Sequence, residues 1–179
     1  MIFGWAKGAA ATAALGLVIT LAACDRGPAA GAADAEANAK AAGFFMTSNA
    51  RAEGVQSLPS GVQYKVIQSG PAGGESPDSN DLVRVDYEGT LTDGTVFDSS
   101  FQRGTPAVFT LDQVVSGWTE VLQHMKPGDE WIVYLPPEKG YGEHGQGPIP
   151  PNSVLVFRLK LIEIARTPGG GRVVASANG

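Results

Sequence analysis

Residues 58–165 predict an α+β domain, an antiparallel sheet with one short helix packed on it. Three observations carry that prediction. Apolar and polar residues alternate in "LVRVDYEGTL" (82–91) and "VLVFRLKLIEI" (154–164), the two-residue period of strands with one buried face. An Asp-Gly pair in "TDGT" (92–95) stands between two such runs, the composition of a tight hairpin. Only "SGWTEVLQHMKPG" (116–128) places its apolar residues at helical spacing.

The elements follow in chain order. "GVQYKVI" (61–67) sets Val62, Tyr64 and Val66 against Gln63 and Lys65, a half-buried strand. Residues 69–80 are rich in Gly, Pro, Ser and Asp and read as a loop. In the next strand Val83, Val85 and Tyr87 share one face, with Arg84, Asp86 and Glu88 on the other. "VFDSS" (96–100) returns from the hairpin, and "AVFTL" (107–111) is another short strand. Ser116 is placed to cap the helix, which presents Trp118, Val121, Leu122 and Met125 before Pro127 and Gly128 stop it. "EWIVYLP" (130–136) and the 154–164 run complete the strands, and in the last Phe157, Leu159 and Leu161 oppose Arg158 and Lys160. Between them lies a long Gly/Pro loop, 137–153, carrying Tyr141 and Ile149. Long loops of this kind inside compact domains are usually functional. Residues 166–179 read as a disordered tail.

The N-terminal part has a different texture. Lys7 precedes an apolar run from Gly8 to Ala23, too short for the roughly 20 residues of a membrane-spanning helix. Residues 1–23 therefore read as a secretory signal. "LAAC" (21–24) resembles the lipobox of bacterial lipoproteins, which implies cleavage before Cys24 and a lipid on its thiol; an incidental Cys in a soluble secreted protein is the alternative. Residues 24–57 read as a tether with a short helix over 34–53, where Phe44, Phe45 and Met46 supply apolar weight and Gly43 weakens the pattern. That helix either folds back on the domain or recruits a partner.

Composition excludes several function classes. The formal charge is −5, so no nucleic-acid partner is expected. His124 and His144 have no Cys or second His at ligand spacing, so neither a zinc site nor any other metal or cofactor is expected. Ser99, Ser100, Asp98 and Glu143 add the residue types of a hydrolase, but no G-x-S-x-G elbow and no phosphate-binding glycine motif is present. The conspicuous residues are aromatic and aliphatic: Tyr87, Phe97, Phe109, Val114, Val115, Trp118, Tyr141, Ile149 and Phe157. Each stands where an inward face meets a loop. Plain core is the competing reading, and it is poorest for Tyr141 and Ile149, because loops lie at the surface.

As an ordered series, the motifs resemble the FKBP-type peptidyl-prolyl cis–trans isomerases, in the style of their bacterial Mip-like lipoprotein branch. They are "VRVDYEGTLTDGTVFDSSFQRGTPAVFTL", "VVSGW", "MKPGDEWIVYLPPEKGYG" and "IPPNSVLVFRLKLIEI". The resemblance covers about 62–165 and implies a bent antiparallel sheet wrapped around one short helix, with an apolar cleft between. It implies that Trp118 floors a pocket for a substrate proline. Tyr87, Phe97, Phe109 and Phe157 would wall it, and Val114, Val115 and Ile149 would complete the lining. Tyr141 would donate its hydroxyl to a substrate carbonyl, with Asp98 at the rim. Ala107 stands where many relatives have an aromatic, which would widen one wall.

The activity implied is X–Pro isomerisation in exported polypeptides, with macrolides as candidate inhibitors. The implied place is a bacterial envelope, the domain lipid-anchored on the periplasmic side. A non-catalytic proline-binding or chaperone module is the second class, and dimerisation through 34–53 stays open. Trp118, Tyr141 and Asp98 are all present, which favours the enzyme. An unpaired carboxylate among rings is costly, so Asp98 is expected to accept hydrogen bonds from Tyr87, Arg103 or both; capping of a local turn is its rival role.

Overall fold

The computed structural model describes residues 30–169, and over them the alternating runs form a seven-stranded antiparallel sheet. Its strands are β1 (Val55–Ser57), β2 (Gln63–Gln68), β3 (Leu82–Thr90), β4 (Val96–Ser99), β5 (Ala107–Thr110), β6 (Glu130–Leu135) and β7 (Leu155–Ala165). The order is β1-β2-β6-β7-β3-β4, with β5 also paired to β3. Helices α1 (Ala30–Asn49), α2 (Ser100–Arg103) and α3 (Ser116–Leu122) complete the fold. The signal segment and Cys24 lie outside the described residues, as do residues 170–179.

One edge of β3 is shared by two strands, and this positions the site. β5 pairs with Leu82 to Val85, whereas β4 pairs with Glu88 to Thr90. Asp86 and Tyr87 fall in the gap. There the buried Ser100 hydroxyl accepts from the Tyr87 backbone N–H at 2.8 Å and donates to the Asp86 carboxylate at 3.1 Å. A backbone donor left bare at this depth would cost about 1–3 kcal/mol, so Ser100 serves the sheet rather than a hydrolytic centre.

The inward residues fall where the alternation puts them. Val83, Val85 and Tyr87 of β3, Val133 and Leu135 of β6 and Leu155 to Leu161 at odd positions of β7 are all buried. Against them α3 packs Trp118, Val121 and Leu122, while Met125 follows in a turn closed by Met125 N–H to Leu122 C=O, 3.0 Å. Two details of α3 differ from expectation. Val115, not Ser116, is the N-cap, and no side chain caps the helix. The helix also ends at Leu122, ahead of Pro127, because its last carbonyls are taken by tight turns rather than by a further helical repeat.

The N-terminal segment is less of a tether than its composition suggests. α1 runs from Ala30 to Asn49 instead of 34–53 and lies on the domain. Its end meets β2, where Asn49 Nδ2 donates to Gln63 Oε1 and Gln63 Nε2 donates to Met46 C=O, both at 2.8 Å. Gln63, placed on the polar face by its period, is therefore buried, whereas Val66 is exposed. A two-residue period cannot register a helix covering the outer face. β1 had no sequence signal and pairs with β2 around the turn closed by Leu58 N–H to Val62 C=O.

The start of the expected tail is fixed as well. Arg166 donates to Asp81 at 2.8 Å and to the Ser76 carbonyl at 3.0 Å, and Thr167 N–H donates to Asp81 at 2.7 Å. Burial pushes the Asp81 carboxyl up, but these bonds and the N–H of Asp78 outweigh it and hold it below the usual carboxylate range. Among the described residues no helix is long and apolar enough to cross a membrane.

Candidate active site

Trp118 enters the core at the start of α3 and meets rings from three strands edge-on. Its centroid lies 5.2 Å from Tyr87, 5.5 Å from Phe109 and 5.1 Å from Phe157, with interplanar angles of 79–88°. Phe97 continues the chain of contacts, 5.6 Å from Phe157. Such edge-to-face arrays are the preferred aromatic packing, and here they are arranged around a hollow of about 260 Å³. α3 comes close enough to seat Trp118 because residue 117 is Gly; a β-carbon there would collide with Leu135.

The structure brings together most of the expected residues. Tyr87, Phe97, Phe109, Trp118 and Phe157 line the hollow, joined by Val114, Val115, Asp98 and the half-exposed Tyr141. Ile149 does not line it. The 137–153 loop folds on itself through reciprocal Gln146–Ile149 backbone hydrogen bonds, 2.9 Å each, which turn Ile149 inward to the core. Ala107, which pairs with Val85 two residues along β5 from Phe109, is also absent from the lining. Gln113 lines the hollow and had no sequence signal: it is a polar residue in the single turn Leu111–Gln113 between β5 and α3. A larger groove of about 1080 Å³ lies between the 74–80 loop and α3. It touches the aromatic hollow only at Val114 and carries no Phe, Tyr or Trp.

Asp98 has the partners its setting requires. The Tyr87 hydroxyl and the Arg103 guanidinium both donate to it, and Arg103 Nη2 reaches the Tyr87 oxygen at 3.0 Å. The α2 turn makes this possible by bringing residue 103 back over residue 98. Ser99 is the cap of that turn, accepting from Gln102 N–H, and Gly104 ends it in the left-handed region at φ 69°. Local capping therefore falls to Ser99. Burial raises the Asp98 pKa, but the hydrogen bonds from Tyr87 and Arg103 prevail and hold it below the ordinary carboxylate range. Burial and the Asp98 hydrogen bond push the Tyr87 hydroxyl up, so it stays a donor. The result is an ionised carboxylate, paired with the Arg103 guanidinium, on the lining of an apolar hollow.

That direction sets a pH dependence. A carboxylate whose folded pKa is lowered contributes its stabilisation above the unfolded value, near 3.9, and loses it as pH falls through the folded one. The Asp98 contribution is therefore expected to be flat from about pH 8 to pH 5 and lost only in stronger acid. Should the hollow catalyse the isomerisation that the sequence resemblance implies, Asp98→Asn is expected to slow it about tenfold, the worth of one charge-assisted hydrogen bond. It should cost little stability, because the pair is half exposed. Unchanged kinetics in Asp98→Asn would remove Asp98 from the catalytic apparatus.

Comparison with known proteins adds the following. A family model described as FKBP-type peptidyl-prolyl cis-trans isomerase matches residues 73–162, and one described as the domain amino terminal to it matches residues 19–66. The chain is 49% identical over 130 residues to peptidyl-prolyl cis-trans isomerase Mip of Coxiella burnetii, covering 72% of this chain and 56% of that protein. It is 48% identical over 138 residues to FkpA of Aeromonas hydrophila, covering 77% and 51%. The chain thus spans about half the length of the curated relatives it matches. Among solved structures, FkpA from Escherichia coli aligns with a TM-score of 0.72 at 40% identity, over 76% of this chain and 63% of that one. A peptidyl-prolyl cis-trans isomerase from Pseudomonas syringae aligns at 0.68 and 39% identity, over 73% and 96%.

Proposed function

The chain belongs to the FKBP-type peptidyl-prolyl cis–trans isomerase family, and on that premise we propose that it accelerates X–Pro isomerisation in proline-containing polypeptides. The supporting observation is the convergence of Trp118, Tyr87, Phe109, Phe157 and Tyr141 on one small hollow with Asp98 at its rim. The uncatalysed bond turns over a barrier of about 18–20 kcal/mol because twisting destroys amide resonance. No bond is made or broken, so no nucleophile is needed. The planar amide is more polar than the twisted one, and a dry aromatic hollow disfavours it relative to the transition state. That is differential binding, worth a factor of ten for about each 1.4 kcal/mol.

In this reading the Trp118 ring carries the proline while the preceding carbonyl rotates. Tyr141 donates its hydroxyl to a substrate carbonyl, and Asp98 presents a fixed negative potential instead of taking a proton. Macrolides with a proline-like ring would compete for the same hollow. The test is refolding of a protein limited by a cis proline, followed with and without the chain. Acceleration at substoichiometric amounts, abolished by a macrolide competitor, is expected. Rates equal with and without the chain would leave a binding module in its place.

We further propose that the domain works in a bacterial cell envelope, on the periplasmic side, held by a lipid on Cys24 after removal of residues 1–23. The "LAAC" ending supports this, as does a relative named outer membrane protein MIP in Legionella longbeachae, 44% identical over 133 residues. Expressed in a bacterial host, the chain should incorporate labelled palmitate and fractionate with membranes, and Cys24→Ser should do neither. Equal labelling of both would contradict the anchor.

A further inference from the structure

We propose that α1 is a strut for the 137–153 loop, and that Asn38 and Asn152 are positioning residues for Tyr141. This rests on the reading that Tyr141 faces substrate. Tyr141 itself has no polar anchor: it is 36% exposed, and its side chain makes no hydrogen bond among the described residues. Its place is therefore set by the backbone on which it sits.

That backbone is tied in two directions. Gly142 N–H donates to the Pro137 carbonyl at 2.9 Å, and the Gly142 carbonyl accepts from Asn152 N–H at 2.8 Å. The loop is thus closed into a ring at the residue next to Tyr141. Asn152 is held with φ 55°, and no other described residue except glycine has a positive φ. Asn tolerates that region better than most residues, but something must hold it there. What holds it is α1. Asn152 Nδ2 donates across to the Ala35 carbonyl at 2.9 Å, and Asn38 Nδ2 donates back to the Pro151 carbonyl at 2.9 Å. These bonds span more than a hundred residues of sequence. α1 is itself seated by buried Ala42 and by Phe45 against Tyr134, centroids 6.1 Å apart. The path from helix to Tyr141 is therefore Ala35 and Asn38, then Pro151 and Asn152, then Gly142.

The chemistry implies a division of labour. The hollow's rings are fixed by the sheet and α3, whereas its one loop-borne hydroxyl is fixed by a helix outside the sheet. A segment that leads back toward the N-terminus is thereby joined to the loop side of the site.

The test uses the full chain carrying Asn38→Ala together with Asn152→Gly. Glycine accepts the left-handed backbone and keeps the N–H to Gly142, so only the links to α1 are lost. Amide exchange at Gly142, Gln146 and Ile149 should quicken, with Leu159 and Leu161 unchanged; unchanged loop exchange overturns the strut whatever the activity. On a proline tetrapeptide, kcat/KM should fall about threefold to tenfold, the range of a contact-mediated coupling. The fall should vanish when the same changes are made in Tyr141→Phe. An equal fall in both backgrounds overturns the positioning role, because a purely structural effect would be additive. If Tyr141→Phe alone retains full activity, the reading of Tyr141 fails, and the exchange result still decides the strut. Asn152→Asp keeps the backbone preference but cannot donate, and should quicken loop exchange in the same way; wild-type exchange in it would count against the Ala35 link.

Discussion

Trp118→Ala is expected to abolish isomerisation and to cost about 3–5 kcal/mol of stability. The side chain is 4% exposed and touches three rings at centroid distances of 5.1–5.5 Å. Domains of this size are stable by about 5–15 kcal/mol, so the variant should fold, with a much lower denaturation midpoint. Removing the indole would empty the proposed floor beneath the proline and let Tyr87, Phe109 and Phe157 lean into the vacancy. Both the surface that grips the ring and the walls that exclude water are lost together. Trp118→Leu separates the two effects, since leucine fills much of the volume without a flat face. It should recover a good part of the midpoint but remain at least about tenfold slower on a proline tetrapeptide. Recovery of the rate along with the midpoint would mean that the ring acts only as filling. The indole N–H has no hydrogen-bond partner among the described residues, so neither replacement strands a former partner there.

Gly89→Ala is expected to have an effect of similar size on catalysis from a single added methyl. Gly89 sits on β3 opposite Asp98 of β4 and Phe157 of β7. A β-carbon there would lie 2.5 Å from two ring carbons of Phe97 and 2.8 Å from Phe157. Both rings wall the hollow, and neither can withdraw without disturbing the array around Trp118. Overpacking of this kind costs about 1–3 kcal/mol. The rate should drop further than that loss suggests, because the displaced rings move into the space that the proline needs. Parallel measurement of midpoint and kcat/KM checks this. Wild-type values of both would show that the walls are soft and that their shape does not set the rate.

Much of the fold was legible because it depends on the two-residue period. β3, β6 and β7 bury the residues that their alternation assigns to one face, and the Asp-Gly pair at 93–94 closes its hairpin by Gly94 N–H to the Leu91 carbonyl. The aromatic hollow was legible in another way, through motifs in a fixed order, since nothing in spacing alone says that Phe109 and Phe157 converge on Trp118. What escaped was set by packing between distant segments. Gln63 looked solvent-facing until α1 covered it, and Arg166 looked like tail until its guanidinium met Asp81. Ile149 sits in a Gly/Pro loop that promises exposure, yet the 146–149 turn folds it into the buried cluster beside the hollow's walls. The link from Asp98 to Arg103 lay between these cases. The charges were visible in sequence, and the one-turn α2 that brings them together was not.

Cis–trans exchange of an Xaa-Pro tetrapeptide, followed by two-dimensional NMR with catalytic amounts of the chain, separates easing of the rotation from mere holding of the proline. Unaided exchange takes tens to hundreds of seconds. With the chain present, exchange on the scale of about a second or faster is expected, with peptide-induced shifts centred on the Trp118 indole N–H and on Tyr141. Shifts at those residues with the peptide still exchanging at its unaided rate would contradict the proposed catalysis, because the hollow would then hold proline without easing its rotation.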